Sequence, residues 1–241
     1  MVCYASHLFF IAGNLQLQRI EMGCVMGEKL KMKEITENSI MNALDWAYSK
    51  AVSEIKGIDS AQKIAEDYLK KEGTLSGRVD SLIKWQVAKA GTSGFVTGLG
   101  GALTLPITLP TSLISVFYIQ LRMIAAIAYI GGHDIKSDKV KTLSYSCLCG
   151  NVAKEILKDT GIEIGKKVTT GFIKNKISGK VTSKINKIVG YRLLTKFGEK
   201  GSINLVKCVP IVGGVIGCAF DACATGAVGK AAKSVFIQES A

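Results

Sequence analysis

Two charged side chains stand alone in long apolar stretches of the chain. Arg122 is the one formally charged residue in Ala90–His133, and Asp221 is the one in Cys208–Gly229. A charge inside a protein is tolerated mainly beside an opposite charge, and removing one partner of a buried pair costs about 3–5 kcal/mol. We therefore predict that the two stretches pack together and that Arg122 pairs with Asp221.

Two alternatives stay open for these charges. Asp80 and Glu155 are the other acidic partners that Arg122 could take. Each charge could instead reach water at the surface of its helix, where it needs no partner. A distance between the Arg122 and Asp221 side chains well beyond hydrogen-bonding reach would exclude the pair.

Lysine is concentrated in one part of the chain. Residues 136–200 contain 15 basic and 5 acidic side chains, and the whole chain has a net charge of +12. Such a positive field attracts anionic lipid headgroups, nucleic-acid phosphates or acidic proteins, although a lysine-bearing helical face is usually only a solvated surface. The lysines that we predict to bind an anionic surface are Lys166, Lys167, Lys174, Lys176, Lys180, Lys184 and Lys187.

Motifs with established chemistry are missing from the sequence. The two histidines, His7 and His133, do not form a His-Glu-x-x-His motif, so a zinc protease site lacks its ligands. Cys147 and Cys149 have no second cysteine pair, and no Gly-Lys dipeptide completes a phosphate-binding loop. We predict no catalytic residue, no metal and no cofactor. The seven cysteines lack a disulfide-framework spacing and suit a reducing cytoplasm.

Helices must position these groups, because apolar residues recur at helical spacing and no segment alternates as a strand does. We predict an all-α fold, a multi-helix bundle built around two glycine-rich apolar helical segments. Small residues at four-residue spacing in both segments would let another helix approach closely. The predicted helices cover Ser39–Ile55, Asp59–Gly73, a segment from near Gly77, Pro110–Gly132, Ser137–Thr160, and Ile162–Phe197 with breaks at Gly179, Gly190 and Gly198.

The domain organisation predicted from these elements is simple. Residues 1–35 are interpreted as a disordered or mis-annotated N-terminal extension, and residues 36–237 as a single helical domain. Pro110–Gly132 is long enough to cross a bilayer, but Arg122 lies near its centre, where insertion costs about 2.5–3.5 kcal/mol. We expect a buried helical core, and stable insertion stays open as the alternative.

Several segments, in the same order along the chain, resemble a known family. They are SAQKIAEDYL (60–69), DSLIKWQVAKAGTSGFVTGLGGALTLP (80–106), QLRMIAAIAYIGG (120–132), RLLTKFGEKG (192–201) and VPIVGGVIGCAFDA (209–222). Together they resemble the bacterial EcsC protein family over Ser39–Phe236, and this resemblance implies no established catalytic activity. The Pro-x-x-x-Pro to Gln-Leu-Arg-Met segment and the glycine-rich tail are also similar to a helical domain that follows the GTPase unit in some Era-like GTPases. That similarity implies membrane association.

These observations predict a non-enzymatic, membrane-associated helical protein in the cytoplasm, on the inner face of the membrane. Its predicted partner is the anionic lipid surface, bound peripherally through the lysines, and no protein partner is identified. One alternative is a hydrolase-like enzyme with a site in the apolar crevice near Arg122. Another is a non-specific nucleic-acid binder, since a lysine-rich face with few aromatic residues suits phosphate contact but not base recognition.

Overall fold

A computed structural model of the chain describes residues 35–55, 57–90, 109, 111–162, 170–197 and 215–237, all within one compact unit. The described part is helical and contains no strand, which confirms the all-α prediction. Residues 1–34 of the predicted extension lie outside the described residues, so the predicted domain boundary stays a prediction. The α-helices are α1 (Glu37–Val52), α2 (Ala61–Leu69), α3 (Leu75–Ala90), α4 (Thr111–Ile130), α5 (Asp138–Cys147), α6 (Ala153–Asp159), α7 (Thr170–Lys176), α8 (Gly179–Phe197) and α9 (Val215–Phe236).

Helix α4 forms the centre of the bundle and packs against α1, α2, α3, α5 and α9. Its side chains are apolar on nearly every face, and Phe117, Leu121 and Ile124 are fully buried. Ser115 and Tyr118 carry polar groups, and both of these side chains are buried as well. A helix that is apolar all round is stable in water only when neighbours cover it on all sides.

The first two helices are capped by hydroxyl side chains. Thr36 accepts a hydrogen bond from the Ser39 backbone N–H, and the Ser39 hydroxyl accepts one from the Thr36 backbone N–H, so α1 starts with a capping box. Ser60 caps α2 by accepting from the backbone N–H of Lys63. The predicted helix starts at Asp59, whereas α2 starts at Ala61, after the Ser60 cap.

A tight turn joins α1 to α2. The predicted first helix runs to Ile55, but α1 ends at Val52, where Ser53 is extended and its hydroxyl donates to the Ser49 carbonyl. Gly57 has a φ of +82°, which favours glycine, and it lies between Ile55 and Ile58, which form an isolated antiparallel bridge. The chain therefore reverses here in a turn instead of continuing as helix.

Helices α3 and α9 pack in antiparallel order through small residues. Asp80, Ile83 and Val87 of α3 lie opposite Lys233, Gly229 and Gly226 of α9, in that order. Gly229 is in such close contact that a Cβ there would be 2.8 Å from Ile83 Cγ1. The predicted small-residue ridge on the last apolar segment therefore does bring another helix close. The corresponding ridge at Gly94 and Gly98 lies outside the described residues.

The basic part of the chain folds onto the bundle through α8, which packs against α1, α5 and α6. The helix starts at Gly179, where a break is predicted, but it continues without interruption through Gly190. Gly190 lies in a long-range contact, because a Cβ at that position would be 2.7 Å from Glu37 Cγ unless that side chain moved. The glycine leaves room for the first turn of α1 and does not end the helix.

Candidate functional site

Arg122 is buried in the core and reaches the turn between α1 and α2. Its side chain is 5% exposed, and Nη1 donates to the Asp59 carbonyl oxygen at 3.3 Å. The guanidinium carbon lies 5.3 Å from the centroid of the Tyr118 ring, one turn earlier on α4. Burial raises the pKa of Tyr118, although the neighbouring Arg122 charge opposes that rise. Arg122 thus ties the central helix to the carbonyl that precedes the α2 cap.

The helix that carries the predicted partner of Arg122 is described, but the side chain of that partner is not. Helices α4 and α9, which carry Arg122 and Asp221, pack against each other as predicted. The side chain of Asp221 lies outside the described residues, so the Arg122–Asp221 pair stays a prediction. Of the alternative partners, Asp80 binds Lys233 through both carboxylate oxygens, at 2.7 and 2.8 Å from Nζ, and Glu155 is exposed on α6.

Three of the seven predicted surface lysines lie on one exposed face of α8. Lys180, Lys184 and Lys187 are all exposed, and at 100° per residue they fall within about 60° of the helix circumference. We call these three residues the lysine face. Ile185 and Val189 are fully buried on the opposite side and anchor the helix.

All charged side chains of α8 are positive. Helix α8 contains five basic residues and no Asp or Glu. Lys184 Nζ donates to the backbone carbonyl of Asp159 at 2.8 Å, which fixes one ammonium group at the surface. Of the remaining predicted lysines, Lys166 and Lys167 lie outside the described residues, as do the side chains of Lys174 and Lys176.

The cysteines near α8 have the properties of core residues. Cys147 is fully buried, and burial raises the pKa of its thiol. Burial also raises the pKa of Cys149 to about 11, although the Lys196 and Arg192 charges oppose the rise. Both thiols are therefore protonated at neutral pH and are poor nucleophiles or metal ligands. In the described part of the chain, no group of three or more His, Cys, Asp or Glu residues could hold a metal ion.

Two open cavities, of about 470 and 640 Å³, border the turn between α1 and α2. Glu54 and Ser60 line both of them. The serine hydroxyls at this turn bind backbone groups, since Ser53 donates to the Ser49 carbonyl and Ser60 accepts from an amide. A serine hydrolase needs a serine whose hydroxyl is hydrogen-bonded to a side-chain base. These contacts therefore do not favour Ser53 or Ser60 as the nucleophile of the hydrolase-like alternative near Arg122.

His133 holds the end of the last helix. Its Nε2 lies 3.1 Å from the Phe236 carbonyl oxygen, and the two rings meet edge to face at 5.3 Å. Burial lowers the pKa of His133, so the neutral ring donates its Nε2 proton to that carbonyl. At Gly131, an added Cβ would collide with the same carbonyl oxygen. The histidine therefore has a structural role at this helix end.

The described residues contain one helix that is long and apolar enough to cross a membrane, Leu113–Ile130 of α4, and 83% of it is buried inside the protein. The core helix of a soluble protein passes the same test.

A model of the EcsC protein family matches residues 29–238, and the chain belongs to this family. No curated protein and no solved structure matches the chain. The described helices all lie within the matched residues.

Proposed function

We propose that this member of the EcsC family is a non-enzymatic, peripheral membrane protein that binds anionic lipid on the cytoplasmic side of the membrane. The contact surface is the lysine face of α8. The observation that most strongly supports the proposal is the arrangement of Lys180, Lys184 and Lys187 on one exposed face of a helix without acidic residues. This arrangement presents three ammonium groups together to a flat surface.

The strength expected of such a contact follows from the field of an anionic leaflet. Each lysine near a negatively charged bilayer contributes about 1 kcal/mol, and the attraction decays within about 8–10 Å at physiological ionic strength. The lysine face alone therefore contributes about 3 kcal/mol, which corresponds to roughly a hundredfold in affinity. Because α8 is anchored by buried Ile185 and Val189, the three ammonium groups stay on one side of the protein.

Peripheral binding also suits the position of α4. The apolar surface of this helix is already used in packing against five neighbouring helices, so it is not available to lipid in the folded protein. Arg122 would lose its bond to the Asp59 carbonyl if α4 left the bundle. Both costs oppose insertion, whereas contact through α8 leaves the core intact.

The proposal is tested by sedimentation of the protein with phosphatidylcholine vesicles that contain or lack phosphatidylglycerol, at several salt concentrations. We expect binding only with phosphatidylglycerol and a steep decrease with salt. The Lys180→Gln/Lys184→Gln/Lys187→Gln variant should lose about a hundredfold in affinity. The control changes three exposed lysines on other helices and turns by the same charge: Lys70→Gln/Lys71→Gln/Lys84→Gln should bind nearly as wild type.

Two results would contradict the proposal. The first is binding that is insensitive to both anionic lipid and salt, and the second is an equal loss in the two triple variants. Fractionation of cells tests the peripheral mode separately, because a salt or carbonate wash releases a peripheral protein and retains a spanning one. Retention of the wild-type protein in the washed membrane would show that it spans the bilayer.

A further inference from the structure

Tyr191 is an exposed aromatic residue in line with the lysine face. Its side chain is 63% exposed, although large apolar side chains of the described bundle are mostly buried. At 100° per residue, Tyr191 projects about 20° from Lys180, between Lys184 and Lys187. One exposed strip of α8 therefore carries three lysines and then a tyrosine. Tyr191 lies about 16 Å beyond Lys180 along the helix axis.

The packing of α8 does not require a tyrosine at this position. The inward side of the helix is occupied by fully buried Ile185 and Val189 and by Leu193, and the ring of Tyr191 points the other way. The other aromatic residue of α8, Phe197, packs edge to face on Phe117 of the central helix at 5.7 Å. The exposed Tyr191 ring is thus not part of the core packing, and it lies on the same side of α8 as the three lysines.

We infer that Tyr191 is an interfacial anchor that enters the headgroup layer of the anionic bilayer when the lysine face binds it. This inference rests on the proposed function and adds an orientation to it, since lysines and tyrosine on one strip place α8 parallel to the membrane plane. Tyrosine suits the headgroup layer because its ring is apolar and its hydroxyl remains hydrated. The lysines contact lipid phosphates along the part of α8 that precedes the ring.

A nucleic acid fits this strip less well than a bilayer does. Proteins that bind single strands stack successive bases on several aromatic rings and often use arginine. On α8 only Tyr191 is available for stacking, because Phe197 is held against Phe117. A bilayer surface, in contrast, requires no row of stacked rings, because anionic headgroups attract the lysines and a single tyrosine suits the interface beside them.

The anchor is tested by vesicle binding of the full chain in phosphatidylcholine–phosphatidylglycerol mixtures. Tyr191→Ser should lower the affinity about three- to tenfold at every salt concentration, with an unchanged slope against salt, because the lost contribution is not ionic. Tyr191→Phe should retain binding within about twofold. The lysine-face variant differs from both, since its loss should shrink as salt rises.

A second readout reports the depth of the side chain. In vesicles with brominated lipid, Tyr191→Trp should give quenched fluorescence beyond that of the wild-type protein, whose own tryptophans are Trp46 and Trp85. Glu72→Trp, at an exposed turn position outside α8, is the control and should add unquenched signal. The circular dichroism of all variants should match that of the wild type, because the changed side chains are exposed.

The outcomes separate the anchor from the proposed function. If the lysine-face variant loses binding while Tyr191→Ser binds as wild type and Tyr191→Trp is not quenched, the anchor is wrong and the proposed function stands. If the wild-type protein does not bind anionic vesicles, both are wrong. If Tyr191→Ser weakens binding to a single-stranded oligonucleotide and leaves vesicle binding unchanged, the anchor is also overturned.

Discussion

The contact between Gly229 and Ile83 allows a quantitative test of how α9 packs on α3. A Cβ at Gly229 would be 2.8 Å from Ile83 Cγ1 and 2.9 Å from Cγ2, whereas ordinary contact begins at 3.4 Å. Ile83 would therefore have to move by about 0.6 Å, the difference between 3.4 and 2.8 Å. A β-branched side chain is stiff at χ1, so the movement must involve the whole helix or an unfavourable rotamer. Overpacking of this kind costs about 1–3 kcal/mol.

The higher helix propensity of alanine opposes this cost. A second glycine on the same helix, Gly226, separates the propensity effect from the steric effect. Replacing glycine by alanine inside a helix stabilises it by up to about 1 kcal/mol, so Gly229→Ala should destabilise the protein by up to about 2 kcal/mol net. Gly226 faces the same helix, but its Cβ would lie 3.7 Å from Val87 Cγ2, an ordinary contact. Gly226→Ala should therefore stabilise the protein by up to about 1 kcal/mol.

Thermal and urea unfolding followed by circular dichroism would measure both variants. A change of 1 kcal/mol corresponds to a Tm shift of about 2–4 °C in a chain of this size. Gly229→Ala should be rescued on an Ile83→Ala background, where the colliding carbons are gone and the alanine propensity remains. Equal stability of the two glycine variants in the wild-type background would refute the packing of α9 on α3 described above.

Three further predictions concern the contacts of α9. Gly131→Ala should destabilise the protein by about 1–3 kcal/mol, because its Cβ would meet the backbone carbonyl of Phe236. The urea midpoint of unfolding measures this change, and an unchanged midpoint would exclude the close approach. Burial lowers the pKa of His133 from 6.5, so the unfolded chain binds the proton more tightly and stability should fall as pH drops below about 6.5. The difference in urea midpoint between wild type and His133→Gln should therefore decrease towards acidic pH, and a constant difference would contradict the assignment. Lys233→Met should cost at most about 1 kcal/mol, since the Asp80 carboxylate is half exposed, and less at high salt.

The features that could be predicted from the sequence depend on local periodicity or composition. The all-α class, the central position of Leu113–Ile130 and the exposure of the lysine face all follow from which residues are apolar at helical spacing. The close approach of another helix at Gly229 was also predictable, because small residues recur every four positions there. Each of these features is a property of one helix and its immediate pattern.

The features that could not be predicted depend on contacts between distant residues. Nothing in the sequence marks the Asp59 carbonyl as a partner of Arg122, since every residue has a carbonyl and only the fold selects one. Gly190 has the sequence signature of a helix end, but the space that it provides for Glu37 becomes visible only when α1 and α8 are placed together. The exposure of Tyr191 also depends on which side of α8 the bundle covers.

The arrangement of α1, α5 and α8 keeps the lysine face apart from most of the apolar core. Helix α8 packs mainly on α1 and α5, and these two helices pack on α4, while Phe197 at the end of α8 contacts Phe117 of α4 directly. The lysine face lies on the exposed side of α8, opposite the buried Ile185 and Val189. A bilayer that attracts the lysine face therefore meets a cationic helix surface before it can reach the apolar interior. Insertion of α4 would first require the bundle to open, and the free energy released by the lysine face, about 3 kcal/mol, is smaller than the stability of a typical folded domain. Under the proposed function, α4 stabilises the fold, and the lysine face with Tyr191 makes the contact with the membrane.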